Sequence, residues 1–179
     1  MAVNKITFGL AQIALGAIES DGGMSTSLAP WGYTEQDSCQ IQFADPEETD
    51  FVPEEIEDPI YVASKEGAKT VAFTIMDPGT DTLQNIFGGT VTTTGTAPNQ
   101  VKTFNAPSTS VNIEKSIKIT PKEGLIFQAA RVKITASLDS TYSKNGLFTV
   151  SVKARILKPT KEDEKTYQFI DDPASLITP

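Results

Sequence analysis

Two runs of one-for-one alternation late in the chain constrain its fold more than any other feature. Val132, Ile134, Ala136 and Leu138 alternate with Arg131, Lys133, Thr135 and Ser137; Phe148, Val150, Val152, Ala154 and Ile156 alternate with Thr149, Ser151, Lys153 and Arg155. A period of two puts each apolar set on one face of a strand, so both runs read as half-buried strands of an antiparallel sheet. Asn145-Gly146 lies between them, the dipeptide that favours the tight type I′ turn of a hairpin.

The same period recurs along the chain. Ile6 and Phe8, then Ile13, Leu15 and Ala17, predict an opening strand pair with Gly9 as a bulge between them. S-C-Q-I-Q-F-A is short and alternating, and Val71, Phe73 and Ile75 mark a strand over residues 69–76. T-V-T-T-T and V-K-T-F continue the sheet; Val111, Ile113, Ile117 and Ile119 then share one face of a long strand, opposite Glu114, Ser116 and Lys118. K-T-Y-Q-F-I predicts a last strand within a C-terminal extension over residues 159–179. The fold class is mainly β: one domain over residues 1–179, an antiparallel β-sandwich or barrel of about eight to ten strands.

One short stretch breaks the pattern. In I-M-D-P-G-T-D-T-L-Q-N-I-F-G-G, Asp77 or Thr80 can cap a first turn, Pro78 and Asp81 suit its start, and Gly88 suits a left-handed stop. Leu83, Ile86 and Phe87 share one face of a helix of two to three turns. Such a helix does not stand alone in water, so this face is expected to pack on the sheet.

Two stretches read as long, apolar-decorated loops: residues 22–36, with Met24, Leu28, Trp31 and Tyr33, and the acidic segment 45–58, with Phe51, Val52 and Ile56. Pro46, Pro53 and Pro59 argue against a helix or central strand in the second. Loops of this length in a compact domain are usually functional.

The residue inventory weighs against catalysis. The chain has no histidine, which removes the commonest general base and metal ligand, and its one cysteine, Cys39, excludes an internal disulfide. The acids near Asp45 lack the spacing of a calcium loop, and no phosphate-binding or dinucleotide fingerprint occurs. No catalytic, cofactor or metal residue is assigned, and an enzyme is the least favoured reading. The alternating N-terminus does not resemble a signal peptide, and no apolar run is long enough to span a membrane, so assembly in a cytoplasm is expected.

Charge is more informative. The net charge is −8, yet residues 35–58 hold ten acids and no base, while residues 102–165 hold twelve bases against six acids. The acidic tract (Glu47, Glu48, Asp50, Phe51, Val52, Glu54, Glu55, Ile56, Glu57, Asp58) and the basic strand face (Arg131, Lys133, Lys153, Arg155) are candidates for the two halves of a contact between copies. The alternative folds Phe51 and Ile56 back onto their own subunit.

Beyond these physical readings, I-T-F-G-L-A-Q-I-A-L-G resembles the first strands of major tail (tail-tube) proteins of long-tailed phages. T-V-A-F-T-I-M-D followed by D-T-L-Q-N-I-F-G-G-T-V is similar to that family's central strand, short helix and strand. The resemblance covers residues 1–93 in detail and the remainder by architecture. It implies a β-sandwich or barrel with a flanking helix, shared with type VI secretion tubes. It further implies hexameric rings stacked into a tube, with loop 45–58 as an arm to a neighbour and Leu83, Ile86 and Phe87 as core anchors. The partners implied are further copies of the chain, with tape-measure, tail-tip or baseplate, and tail-terminator proteins. DNA would pass along the lumen without specific binding, as an acidic wall permits, and the location would be the virion tail. Two other readings stay open: the inner tube of a contractile or type VI-like machine, and a monomeric binding or decoration module with an aromatic groove around Trp31 and Tyr33.

Overall fold

The computed structural model describes residues 6–138, 142, 144 and 146–171. In chain order its elements are β1 (Phe8–Gly16), β2 (Ala29–Pro30), β3 (Gln40–Phe43), β4 (Glu47–Phe51), β5 (Tyr61–Lys65), β6 (Lys69–Ile75), α1 (Thr80–Phe87), β7 (Thr90–Thr94), β8 (Val101–Asn105), β9 (Ile113–Glu123), β10 (Ile126–Ser137), β11 (Val150–Ile156) and β12 (Tyr167–Ile170). The protein is mainly β and antiparallel, with one short helix among the described residues.

Alternation builds an eight-stranded sheet in the order β2-β1-β9-β10-β11-β6-β3. β12 pairs with the first half of β10, whose second half pairs with β11. One segment joins the two ends of the sheet. Residues 29–30 pair with β1; a few residues on, Thr34 bridges Ile75 of β6, Met76 N donates to the Tyr33 carbonyl at 2.9 Å and Glu35 N to that of Thr74 at 2.8 Å. β3 then takes the rest of that β6 edge. The sheet therefore curls into a barrel, which covers edges an open sheet would leave unpaired.

The interior holds the predicted alternating residues: Ile13 and Leu15, Val71, Phe73 and Ile75, Ile117 and Ile119, Val132 and Ile134, and Val150, Val152, Ala154 and Ile156. Cys39 packs against this core half-buried, and burial pushes its thiol up to about 11. α1 lies beyond the Ile75 end of β6, where Ile86 enters the core and Leu83 and Phe87 pack beside it. The opposite end, where β6 begins and β9 ends, opens into a cavity of about 830 Å³ lined by Leu10, Ile41, Ile119, Phe127 and Phe169.

Several expectations are corrected. The opening is one strand, not a pair: β1 runs continuously along β9, with a register shift between Leu10 and Gln12 just after Gly9. The helix is not capped by Asp77 or Thr80. Gly79 is its N-cap with no side-chain bond, because Asp77 Oδ1 instead accepts the Tyr33 amide at 2.6 Å. Gly88, at φ 77°, does end the helix, its N–H bonding the Gln84 carbonyl. T-V-T-T-T does not rejoin the barrel; β7 and β8 form a separate two-stranded sheet. β10 and β11 pair as expected from Val132↔Ile156 to Ser137↔Ser151, while Asn145 of the expected Asn145-Gly146 turn lies outside the described residues.

Candidate assembly surface

The acidic segment is not a structureless loop. Its first residues form β4, which pairs with β5 in a hairpin hydrogen-bonded to no other strand among the described residues. Pro46 stands before β4 and Pro53 just after it, positions where a missing N–H costs the ladder nothing. The connection closes through Ile60 N donating to the Phe51 carbonyl at 3.1 Å.

Pairing register gives the hairpin two chemically different faces. Glu47, Thr49 and Phe51 stand opposite Lys65, Ala63 and Tyr61, so one face is largely neutral, with the Phe51 and Tyr61 rings 5.8 Å apart. The other carries Glu48 and Asp50 opposite Ser64 and Val62. Glu54, Glu55, Glu57 and Asp58 crowd the tip, all exposed, and of the tract's acids only Glu47 has an ion pair among the described residues, to Lys65 at 3.9 Å.

Phe51 is 52 % exposed, Val52 51 %, Ile56 53 % and Ile60 70 %, so the tip does not fold back onto its own subunit. Sequence reasoning missed β5, and with it Ile60, Tyr61 and Val62. The alternation over residues 61–65 was the available signal, masked by the neighbouring prolines.

The four expected cations are not equivalent. Arg131 is already committed: its Nε donates to Glu114 Oε2 at 2.7 Å and its Nη1 to the Lys158 carbonyl at 3.3 Å. That guanidinium hydrogen bond holds the Glu114 carboxyl below its ordinary value, with Asn112 assisting, and raises Arg131 in return. Lys133 stands directly opposite Arg155 on the barrel exterior, with Lys153 two residues away on β11. These three form no ion pair among the described residues.

Beside α1 lies a groove of about 570 Å³ that sequence reasoning also missed. Phe87, Phe104, Val111, Ala136, Leu138 and Phe148 contribute to its lining, which among the described residues includes no charged side chain. Residues from α1, the β8–β9 connection and the end of β10 meet there only after folding.

Trp31 is buried in the core while Tyr33 points outward, 78 % exposed, so the two do not form an exposed aromatic groove. Among the described residues no cluster of three or more His, Cys, Asp or Glu side chains is placed to hold a metal, and no helix is long and apolar enough to cross a membrane. A scan against models of known protein families matches none, and comparison with curated proteins finds no similar sequence.

Proposed function

We propose that this protein is a structural, non-enzymatic subunit of a phage tail tube, in which rings of six copies stack into a conduit for the genome. The observation that carries the reading is the β4–β5 hairpin, which stands clear of its barrel with Phe51, Val52, Ile56 and Ile60 exposed. A lone two-stranded hairpin is marginally stable in water, and several large apolar side chains left exposed on it mark a surface for another molecule. The like sequence pattern of tail-tube proteins over residues 1–93 supplies the kind of assembly. The barrel with one flanking helix is compatible with it, and net charge −8 suits a wall along which DNA slides. Its place is then the virion tail, assembled in the host cytoplasm, with tape-measure, tip and terminator proteins at the tube's core and ends.

Negative-stain electron microscopy over a concentration series tests this. Rings or hollow tubes are expected, either spontaneously or after a tail-tip complex is added. Dispersed particles under both conditions overturn the proposal.

A further inference from the structure

The hairpin and the groove lie at opposite ends of the barrel. β6 begins at Lys69, close to where the hairpin returns, and ends at Ile75, from which the chain passes into α1. Its seven residues separate the two by roughly 20 Å at the rise of a strand. A copy of this chain is thus poorly placed to seat its own tip in its own groove.

The two surfaces are complementary. The tip offers Phe51, Val52, Ile56 and Ile60, and the groove answers with a lining that is uncharged among the described residues, in which Val111 is 47 % and Leu138 54 % exposed. Around the tip stand Asp50, Glu54, Glu55, Glu57 and Asp58. Beside the groove, Lys115 reaches Asn85 of α1 at 3.5 Å and Lys153 lies across the ladder from Thr135, itself a lining residue, while Lys102 is already paired with Asp81 of α1 at 2.8 Å. Apolar contact at the centre with opposite charge at the rim is the anatomy of a specific interface.

We infer that the hairpin tip of one copy seats in the groove between α1 and β10 of a second copy. This rests on the tube reading, which already supplies the arm, and adds to it a named acceptor surface. The contact is heterologous, joining one end of a barrel to the other end of the next, so it propagates along an axis instead of closing as a two-fold pair. Lys115 and Lys153 set the register against the tip acids, and Arg131, held by Glu114, takes no part.

Two full-length single-cysteine chains test this, Ile56→Cys and Leu138→Cys, each in a Cys39→Ser background. They are mixed where the wild type assembles and oxidised with diamide. A covalent dimer is expected in the mixture and not with either chain alone, and a chain carrying both substitutions should give a ladder of covalent oligomers. A second pair, Ile60→Cys with Val111→Cys, guards against one pair lying outside disulfide geometry. Assembly without cross-linking from either pair places the tip elsewhere and overturns the inference while leaving the tube reading intact. Cross-linking confined within one chain overturns it as well, since each tip then occupies its own groove. A wild type that never assembles overturns both.

Discussion

Ser116 Oγ donates to the Ala130 carbonyl at 2.7 Å and accepts the Ser25 amide at 3.0 Å, with Ser116 itself wholly buried. Ala130 falls inside the register shift between Ala129 and Val132 of the β9–β10 ladder, so the hydroxyl serves a carbonyl at a break in strand pairing. It also pins the chain around Ser25 against β1 at Gly16, where a Cβ would come within 2.4 Å of Ser25 Oγ and 2.5 Å of the Ser27 carbonyl.

Replacing Ser116 by Ala leaves both buried groups without this partner. A loss of about 1–3 kcal/mol in unfolding free energy is expected, read from chemical denaturation. An unchanged midpoint would mean that water or a local shift satisfies both groups.

The helix is held by one face, and within it Ile86 matters most. Only Ile86 is fully buried; Leu83 and Phe87 also line the groove. Ile86→Ala should cost about 2–5 kcal/mol, at the scale of other large-to-small core changes, and Leu83→Ala less. Thermal unfolding of the two variants side by side checks the order. If Leu83→Ala proves the more damaging, the burial described for α1 is wrong.

Much of the barrel was legible because its signal is local. Val71, Phe73 and Ile75, and the alternating runs of β10 and β11, advertise their inward faces in the residues themselves. Closure was not legible: Thr34 meets Ile75 across 41 positions, and nothing near Thr34 announces a bridge. The hairpin was half legible. Its charge and apolar tip stand out in sequence, but the prolines that deny a central strand are compatible with an edge strand, so a paired segment read as a loop. The caps of α1 misled for a related reason, since the oxygen of Asp77 that suits a first turn is taken by the amide of Tyr33. Local propensity ranks the options, and distant partners choose among them.

Glu114 gives a pH signature. Its folded carboxyl lies below the ordinary 4.5, chiefly through the hydrogen bond from Arg131. A depressed acid stabilises the fold fully above its unfolded value and loses that contribution as pH falls through the folded one. Glu114→Gln should therefore cost about 1 kcal/mol or less at neutral pH and narrow its deficit below about pH 4. Glu19, bonded by Thr26, and Asp21, bonded by Lys161, are shifted the same way, so part of the acid slope should persist in the variant. Denaturation midpoints of both proteins from pH 7 to pH 3 provide the comparison; a deficit that widens on acidification contradicts the sign.

The hairpin tip should separate folding from assembly. Phe51 and Ile56 are already more than half exposed in the single chain, so Phe51→Asp with Ile56→Asp removes little buried area from the monomer. Its unfolding midpoint should stay within about 0.5 kcal/mol of the wild type, as for most exposed substitutions. Association should suffer far more, because two carboxylates would be carried into an apolar site without partners. Sedimentation velocity over a concentration series, run beside circular dichroism melts, reads both properties from one preparation. A variant that melts normally and assembles normally would show that the tip is not an interface. One that melts early would show instead that Phe51 and Ile56 hold the monomer together, and their exposure would need another explanation.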